Sequence, residues 1–153
     1  MKQLAIVTVT LLAMVAGPTL AQDTEKKVKM SEMPPAVQKA ISDYTAGKGA
    51  TIRGLAMEVE KGKRLYEAEL RINGRTRDVT FDEAGAIFSL EEETSLDQIP
   101  AGARAAIEKA ATGSKVTLVE TVTSEGVTYY EAHIDKGGRR SEVKVNAAGE
   151  AVK

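Results

Sequence analysis

The sequence predicts an α+β protein built of two tandem helix-then-antiparallel-strands repeats, forming one sheet with both helices packed on one face. Three observations predict it. First, the second half matches the first at an offset of 66 residues, with Ser31-Glu32-Met33-Pro34 on Asp97-Gln98-Ile99-Pro100, Ala40-Ile41 on Ala106-Ile107 and Gly47 on Gly113. The offset then shortens to 64, with Tyr66-Glu67-Ala68 on Tyr130-Glu131-Ala132, Gly74-Arg75 on Gly138-Arg139 and Ala84-Gly85 on Ala148-Gly149. The matches never cross in order, as a duplication requires. Second, each copy opens on apolar residues at helical spacing. Third, each continues into apolar and polar residues in alternation, interrupted by glycine turns.

The chain starts with the features of a secretory signal. Lys2 is a short positive region, Leu4 to Ala16 is an apolar run, Gly17-Pro18 breaks it, and Ala21 is a small residue at a cleavage position. The expected organisation is a signal peptide at 1–21, a flexible polar leader at 22–29, repeat 1 at 30–90, an acidic linker at 91–95 and repeat 2 at 96–153. The apolar run is too short for a membrane anchor, which needs about 20 apolar residues.

Each repeat opens with a helix, expected over Pro34 to Ala46 and Pro100 to Thr112. Ser31 and Asp97 are candidate N-caps, and the prolines suit the first turn, where a missing N–H costs nothing. Met30, Met33, Val37 and Ile41 line one helical face, as do Leu96, Ile99, Ala103 and Ile107. Gly47 and Gly113 fit the left-handed position that ends a helix.

Strands follow at about Thr51 to Glu60 and Lys115 to Ser124. In the second, Val116, Leu118 and Val122 fall on one side and Thr117, Thr121 and Thr123 on the other; Gly54 in the first predicts a bulge. Asn73-Gly74 and Gly137-Gly138 then predict two-residue type I′ hairpins. Counting outward from them pairs Leu70 with Arg77, Ala68 with Val79 and Tyr66 with Phe81. The same count pairs Ile134 with Ser141, Ala132 with Val143 and Tyr130 with Val145. On the opposite face Asp135, His133 and Glu131 meet Arg140, Glu142 and Lys144, three complementary rungs, whereas Glu69 meets Asp78, a like-charge rung. Turns at Asp82 to Gly85 and Asn146 to Gly149 lead to closing strands, the first at Ala86 to Leu90.

Composition narrows the function classes. The chain has 21 basic and 22 acidic residues, which supports neither a nucleic-acid partner nor, after signal cleavage, a membrane partner. It has no cysteine, which excludes disulfides, thiol catalysis, cysteine-ligated metal and a lipoprotein anchor. No HExxH, GxSxG or phosphate loop occurs, so no enzyme chemistry, resident metal or cofactor is expected. A hydrolase would have only Asp, Glu, Ser and one His to use, at no recognisable spacing.

Six residues are candidates for partner binding: Leu65, Tyr129, His133, Arg75, Arg139 and Arg140. Leu65 and Tyr129 hold equivalent places on the face expected to meet solvent, where a tyrosine can anchor an interface. His133, the single histidine, is expected in a cross-strand ion pair with Glu142. Arg75, Arg139 and Arg140, with Arg77, sit at the hairpin tips, and their guanidinium forks suit a carboxylate or an acidic loop. Glu91-Glu92-Glu93 reads as a solvated linker, with weak calcium binding as the alternative.

The proline-started helix, glycine stop, Tyr-Glu-Ala strand, Asn-Gly-type hairpin and acidic or amide turn ending in glycine resemble the PepSY-like domains. From Met30 to Lys153 the chain is similar to the tandem PepSY-like group related to the beta-lactamase inhibitor protein. The resemblance implies an exported module that binds proteins or peptides and, in some relatives, restrains a secreted enzyme. The inhibitor itself uses an aromatic-rich concave sheet and disulfides; this chain has 4% aromatics, no Trp and no Cys, so no contact residue carries over. The expectation is a periplasmic or secreted, non-catalytic binding module that engages a protein or peptide through the open face of its sheet. The alternative is a periplasmic small-ligand or cation-binding protein.

Overall fold

The computed structural model describes residues 24–60 and 62–152. The expected signal peptide lies outside the described residues. Eight strands run in sequence order β1-β2-β3-β4-β5-β6-β7-β8 across one sheet, every neighbouring pair antiparallel. They are β1 (Thr24–Lys27), β2 (Thr51–Glu60), β3 (Lys63–Ile72), β4 (Arg75–Asp82), β5 (Ile87–Glu93), β6 (Lys115–Ser124), β7 (Val127–Lys136) and β8 (Arg139–Val145), with helices α1 (Pro35–Thr45) and α2 (Ala101–Ala110).

This corrects the expectation of two helix-then-strands repeats with both helices on one face. The described residues form one eight-stranded antiparallel sheet with two α-helices, and most of them are in strands. The ladder does not break at mid-chain, because β5 pairs β6 from Ser89↔Ser124 to Glu93↔Glu120. Two further boundaries move for the same reason, that backbone N–H and C=O groups find partners wherever a ladder can extend. Thr24–Lys27, expected in a flexible leader, pairs with Ala56 to Val59. Glu91, Glu92 and Glu93, expected in a linker, are the last residues of β5, which starts at Ile87 and not at Ala86.

The helices bury the residues that their spacing selects, Val37 and Ile41 in α1 and Ala103 and Ile107 in α2. Their starts differ from expectation. Pro34 and Pro100 are themselves the N-caps, with no side-chain cap bond. Ser31 sits instead in a single 3-10 turn, Met30–Glu32, closed by the Lys29 N–H donating to the Glu32 carboxylate at 2.7 Å. Gly47 and Gly113 follow the helices at φ +71° and +72°, as the stop signal requires.

Two cores result. Met33, Val37 and Ile41 pack with Tyr66, Ala68, Leu70, Val79 and Phe81, and Ile99, Ala103 and Ile107 pack with Val119, Ala132 and Val145. The hairpin rungs have the register counted from the turns, including Ala68↔Val79 and Ala132↔Val143. Asn73 and Gly74, and Gly137 and Gly138, all have positive φ, as type I′ turns demand. Beside Gly54 the register slips between Ile52 and Gly54, the expected bulge. A matching slip between Val116 and Leu118 was not expected; it turns Val116 toward the α2 core while Leu118 stands opposite His133.

The turns after β4 and β8 are tied by side chains. Asp82 Oδ1 accepts from the Ala84 and Ala86 N–H groups, and Asn146 Oδ1 from those of Ala148 and Glu150. Gly149 in the second turn has φ +88°, and a Cβ there would lie 2.5 Å from the Gly102 carbonyl oxygen of α2. Gly149→Ala is therefore expected to cost about 2–4 kcal/mol, from left-handed strain and a backbone clash together. Urea denaturation of the variant checks it.

Candidate functional site

Alternation along a strand sends the core residues one way and their neighbours the other. On β3 the neighbours of Tyr66, Ala68 and Leu70 are Glu67 and Glu69; on β7 the neighbours of Tyr130 and Ala132 are Glu131 and His133. Register then aligns these acids across the sheet. One row runs Glu69↔Asp78↔Glu91, and the next runs Glu93↔Glu120↔Glu131↔Lys144. Four of those steps oppose two carboxyl groups directly, an arrangement that repels rather than stabilises a sheet.

The face is curled. Lys63 Nζ, at the β2–β3 turn, lies 3.5 Å from Glu125 Oε1 at the β6–β7 turn, bridging the two turns although β4 and β5 lie between. Inside the curl Ala56, Leu65 and Val122 are buried, and the side chains of Glu120 and Glu131 are only 3% and 6% exposed.

Burial is the largest influence on four of these acids. It pushes Glu67 up to about 8, reinforced by Asp78 and Glu58, and Asp78 up to about 6, reinforced by Glu69. Glu91 rises to about 7 by burial and the charges of Glu120 and Glu131, and Glu120 to about 7 by burial and those of Asp78 and Glu131. Each case combines desolvation with like charge.

The cations stand at the edges of this group. Lys144 Nζ donates to Glu131 Oε2 at 2.9 Å. Burial, the largest single influence, would lower Lys144, but that bond together with the charges of Glu131, Tyr129 and Glu142 outweighs it and raises the amine above the usual lysine range. At the other edge the Thr76 N–H and hydroxyl donate to Glu93 Oε2 at 2.7 and 3.0 Å, keeping Glu93 below the usual carboxylate range, with Arg71 and Arg75 adding to the effect. Lys144→Ala leaves the buried Glu131 carboxylate without its amine, and we expect it to cost about 1–3 kcal/mol. Thermal melts at neutral pH test this, and Lys144→Arg should recover most of the loss.

The six residues singled out from the sequence fare differently. His133 is in the site, but its nearest acid is Glu120, 3.3 Å from Nε2, ahead of Glu131 at 3.6 Å and of Glu142, 4.0 Å from Nδ1. Tyr129 is half-buried on the same face, and burial raises its hydroxyl. Leu65, expected to be exposed, is 1% exposed and belongs to the floor of the curl. Arg75 begins β4, while Arg139 and Arg140 begin β8 with three strands between, so the structure does not bring the three arginines together. A cleft of about 470 Å³ near Arg75 and Arg77 does not change this, since Arg77 is already paired with Glu92.

Glu67, Asp78 and Glu120 were not singled out, and Glu91 was considered only within the acidic run Glu91-Glu92-Glu93. The clearest signal was the Glu69 and Asp78 rung; its extension needed the β4–β5 register, shifted by an irregularity between Thr80 and Phe81, and the β5–β6 register, which no short turn specifies. Among the described residues, two sets of side chains each bring one donor atom apiece within 4.8 Å of one another, Asp78 with Glu91 and Glu120, and Glu131 with His133 and Glu142. Three donors fall short of the six to eight oxygens that calcium takes, so neither set is assigned to a metal.

No family model matches the sequence, and no curated protein is significantly similar to it. Solved structures are similar in fold. A protein of Bacteroides eggerthii, described provisionally as periplasmic, has a TM-score of 0.62 at 20% identity, covering 79% of this chain and 86% of that one. A DUF2874 family protein from Bacteroides ovatus has a TM-score of 0.58 at 18% identity, covering 79% and 85%. A BLIP-like protein from Bacteroides fragilis has a TM-score of 0.54 at 21% identity, covering 79% and 84%. At such identities the likeness speaks to fold, and it is to BLIP-like and DUF2874 proteins rather than to tandem PepSY-like domains specifically. The chain has the fold of these BLIP-like and DUF2874 proteins.

Proposed function

We propose that the protein is a non-catalytic, exported binding module that engages a protein or peptide through the open, carboxylate-lined face of its sheet, and that the segment it takes carries lysine or arginine. The observation behind this reading is the run of directly opposed carboxyl groups over β3 to β7. Such rungs work against the stability of the free chain, and a basic segment laid across them supplies the missing counter-charge. The apolar floor of Ala56, Leu65 and Val122, with Tyr129 beside it, offers contact area of the kind interface centres use. The periplasmic description of the Bacteroides eggerthii protein and the signal-like start of this chain support export. Among the described residues no helix is long and apolar enough to cross a membrane.

The experiment is calorimetric titration with a lysine-rich peptide and a glutamate-rich control of the same length. The basic peptide should bind, more weakly as salt rises, and the double variant Glu91→Gln with Glu120→Gln should lose it. Equal behaviour of the two peptides sinks the reading. A second reading, a cation carrier, has behind it only the three converging donors of Asp78, Glu91 and Glu120, fewer than calcium takes. It requires a rise in Tm with a divalent ion, since a ligand bound only to the folded state stabilises it.

A further inference from the structure

We propose that the open face is proton-gated: in the free protein at neutral pH, Asp78, Glu91 and Glu120 share protons across their strands, and they release them to solvent as a cationic partner is seated. The partner in this statement rests on the binding reading above; the holding of protons does not.

The geometry carries the argument. Asp78 stands directly opposite both Glu69 and Glu91, and Glu120 directly opposite both Glu93 and Glu131. Directly opposed residues place their Cβ atoms about 4.5–5.5 Å apart, too close for two charged carboxylates without a counter-ion. One oxygen each of Asp78, Glu91 and Glu120 lies within 4.8 Å of the others, joining the two rows. A proton held between two such groups turns repulsion into a charge-assisted hydrogen bond.

Every packed element adds titratable groups. Glu58 of β2 and Glu69 of β3 add negative charge at Glu67, and Glu69 does so at Asp78. On β5 Glu93 is held by Thr76, with Arg71 and Arg75 acting on it. On β7 Glu131 is satisfied by Lys144 of β8, and His133 stands among Glu120, Glu131 and Glu142. Tyr129 of β7 adds only a neutral hydroxyl, raised by burial and flanked by Lys144 and the acids Glu91, Glu131 and Glu60. Lys144 also acts on Glu91, but weakly beside Glu120 and Glu131. Lys144 is thus committed to Glu131, Arg71 and Arg75 act on Glu93, His133 reaches Glu120, and Arg53 of β2 lines a cleft with Glu69 and Asp78; none of them forms an ion pair with Asp78 or Glu91, which leaves protons as the means of neutralising these two. Burial and mutual charge move the same three groups toward neutral pH. A lysine or arginine entering the row favours the ionised carboxyls and displaces those protons, so affinity rises with pH.

The test has two arms on the wild-type protein. Carboxyl-carbon NMR, titrated from about pH 4 to about pH 9, should show midpoints above about 6 for at least two of the three residues, against an ordinary value near 4. Ordinary midpoints for all three overturn the proposal. In the second arm a lysine-rich peptide should bind at least about tenfold more tightly at about pH 8 than at about pH 5.5, the change that release of one proton over one pH unit gives. Glu91→Gln with Glu120→Gln should bind at neither pH more tightly than the wild type does at about pH 5.5, in keeping with the loss of binding expected above. Binding of equal strength at both pH values overturns the gate and leaves the binding reading in place. Raised midpoints with no peptide binding at any pH overturn the binding reading and the release step, while proton holding stands.

Discussion

Phe81→Ala is expected to lower the stability of the folded protein by about 3–5 kcal/mol, the range for emptying a buried aromatic site. Phe81 is 1% exposed and is the largest of the fully buried side chains. It lies opposite Tyr66 on the α1 core, and the Tyr44 ring meets it edge-on, with centroids 6.5 Å apart and planes at 80°. Neither neighbour can fill the gap, since Tyr66 is fixed in the ladder and Tyr44 in the last turn of α1. The loss should appear as one cooperative transition. The α1 and α2 cores share an unbroken ladder through the β4–β5 and β5–β6 pairs, so melting one exposes edges of the other. Circular dichroism against urea, with hydrogen exchange at residues of both cores, checks both points. Exchange that quickens only in the α1 core would show that the two cores unfold separately.

Stability is expected to fall by about 2–4 kcal/mol as pH rises from about 5 to about 9, a range already discounted for solvent screening of half-open groups. In the unfolded chain a glutamate ionises near 4.5 and an aspartate near 3.8; in the folded protein Glu67 ionises near 8, Glu91 and Glu120 near 7 and Asp78 near 6. Between these limits the folded state binds more protons than the unfolded one, so raising pH favours unfolding. The contribution is intact below the unfolded values and is lost as pH passes through the folded ones. Glu93 acts in the opposite sense: held below its ordinary value by Thr76, it withdraws stability as pH falls into the acid range. The stability maximum should therefore lie on the acid side of neutral. Urea midpoints at constant ionic strength across this range test it, and stability that rises steadily to about pH 9 refutes it. Glu120→Gln should match or exceed the wild type at the alkaline end, because the amide removes the charge that burial opposes.

The local grammar of this protein is in its sequence. Asn73-Gly74 and Gly137-Gly138 set the hairpin turns by their tolerance of positive φ, and a two-residue turn fixes every rung outward from it. The spacing of Val37 with Ile41, and of Ala103 with Ile107, selects the buried side of each helix. These are short-range constraints, readable because the interacting residues are close along the chain.

What only the tertiary structure decided is how the pieces meet. The ladder between β5 and β6 spans the whole of α2, so no turn residue announces it, yet it makes one sheet of the chain and draws Glu91 to Glu93 out of a supposed linker. The same pairing aligns acids from five strands, which in the sequence are unremarkable charges several turns apart. Leu65 alternates like a solvent-facing residue and is nonetheless buried, because the sheet curls until Lys63 reaches Glu125. Curvature and register between distant strands are collective properties of packing, and the carboxylate face exists only where they act together.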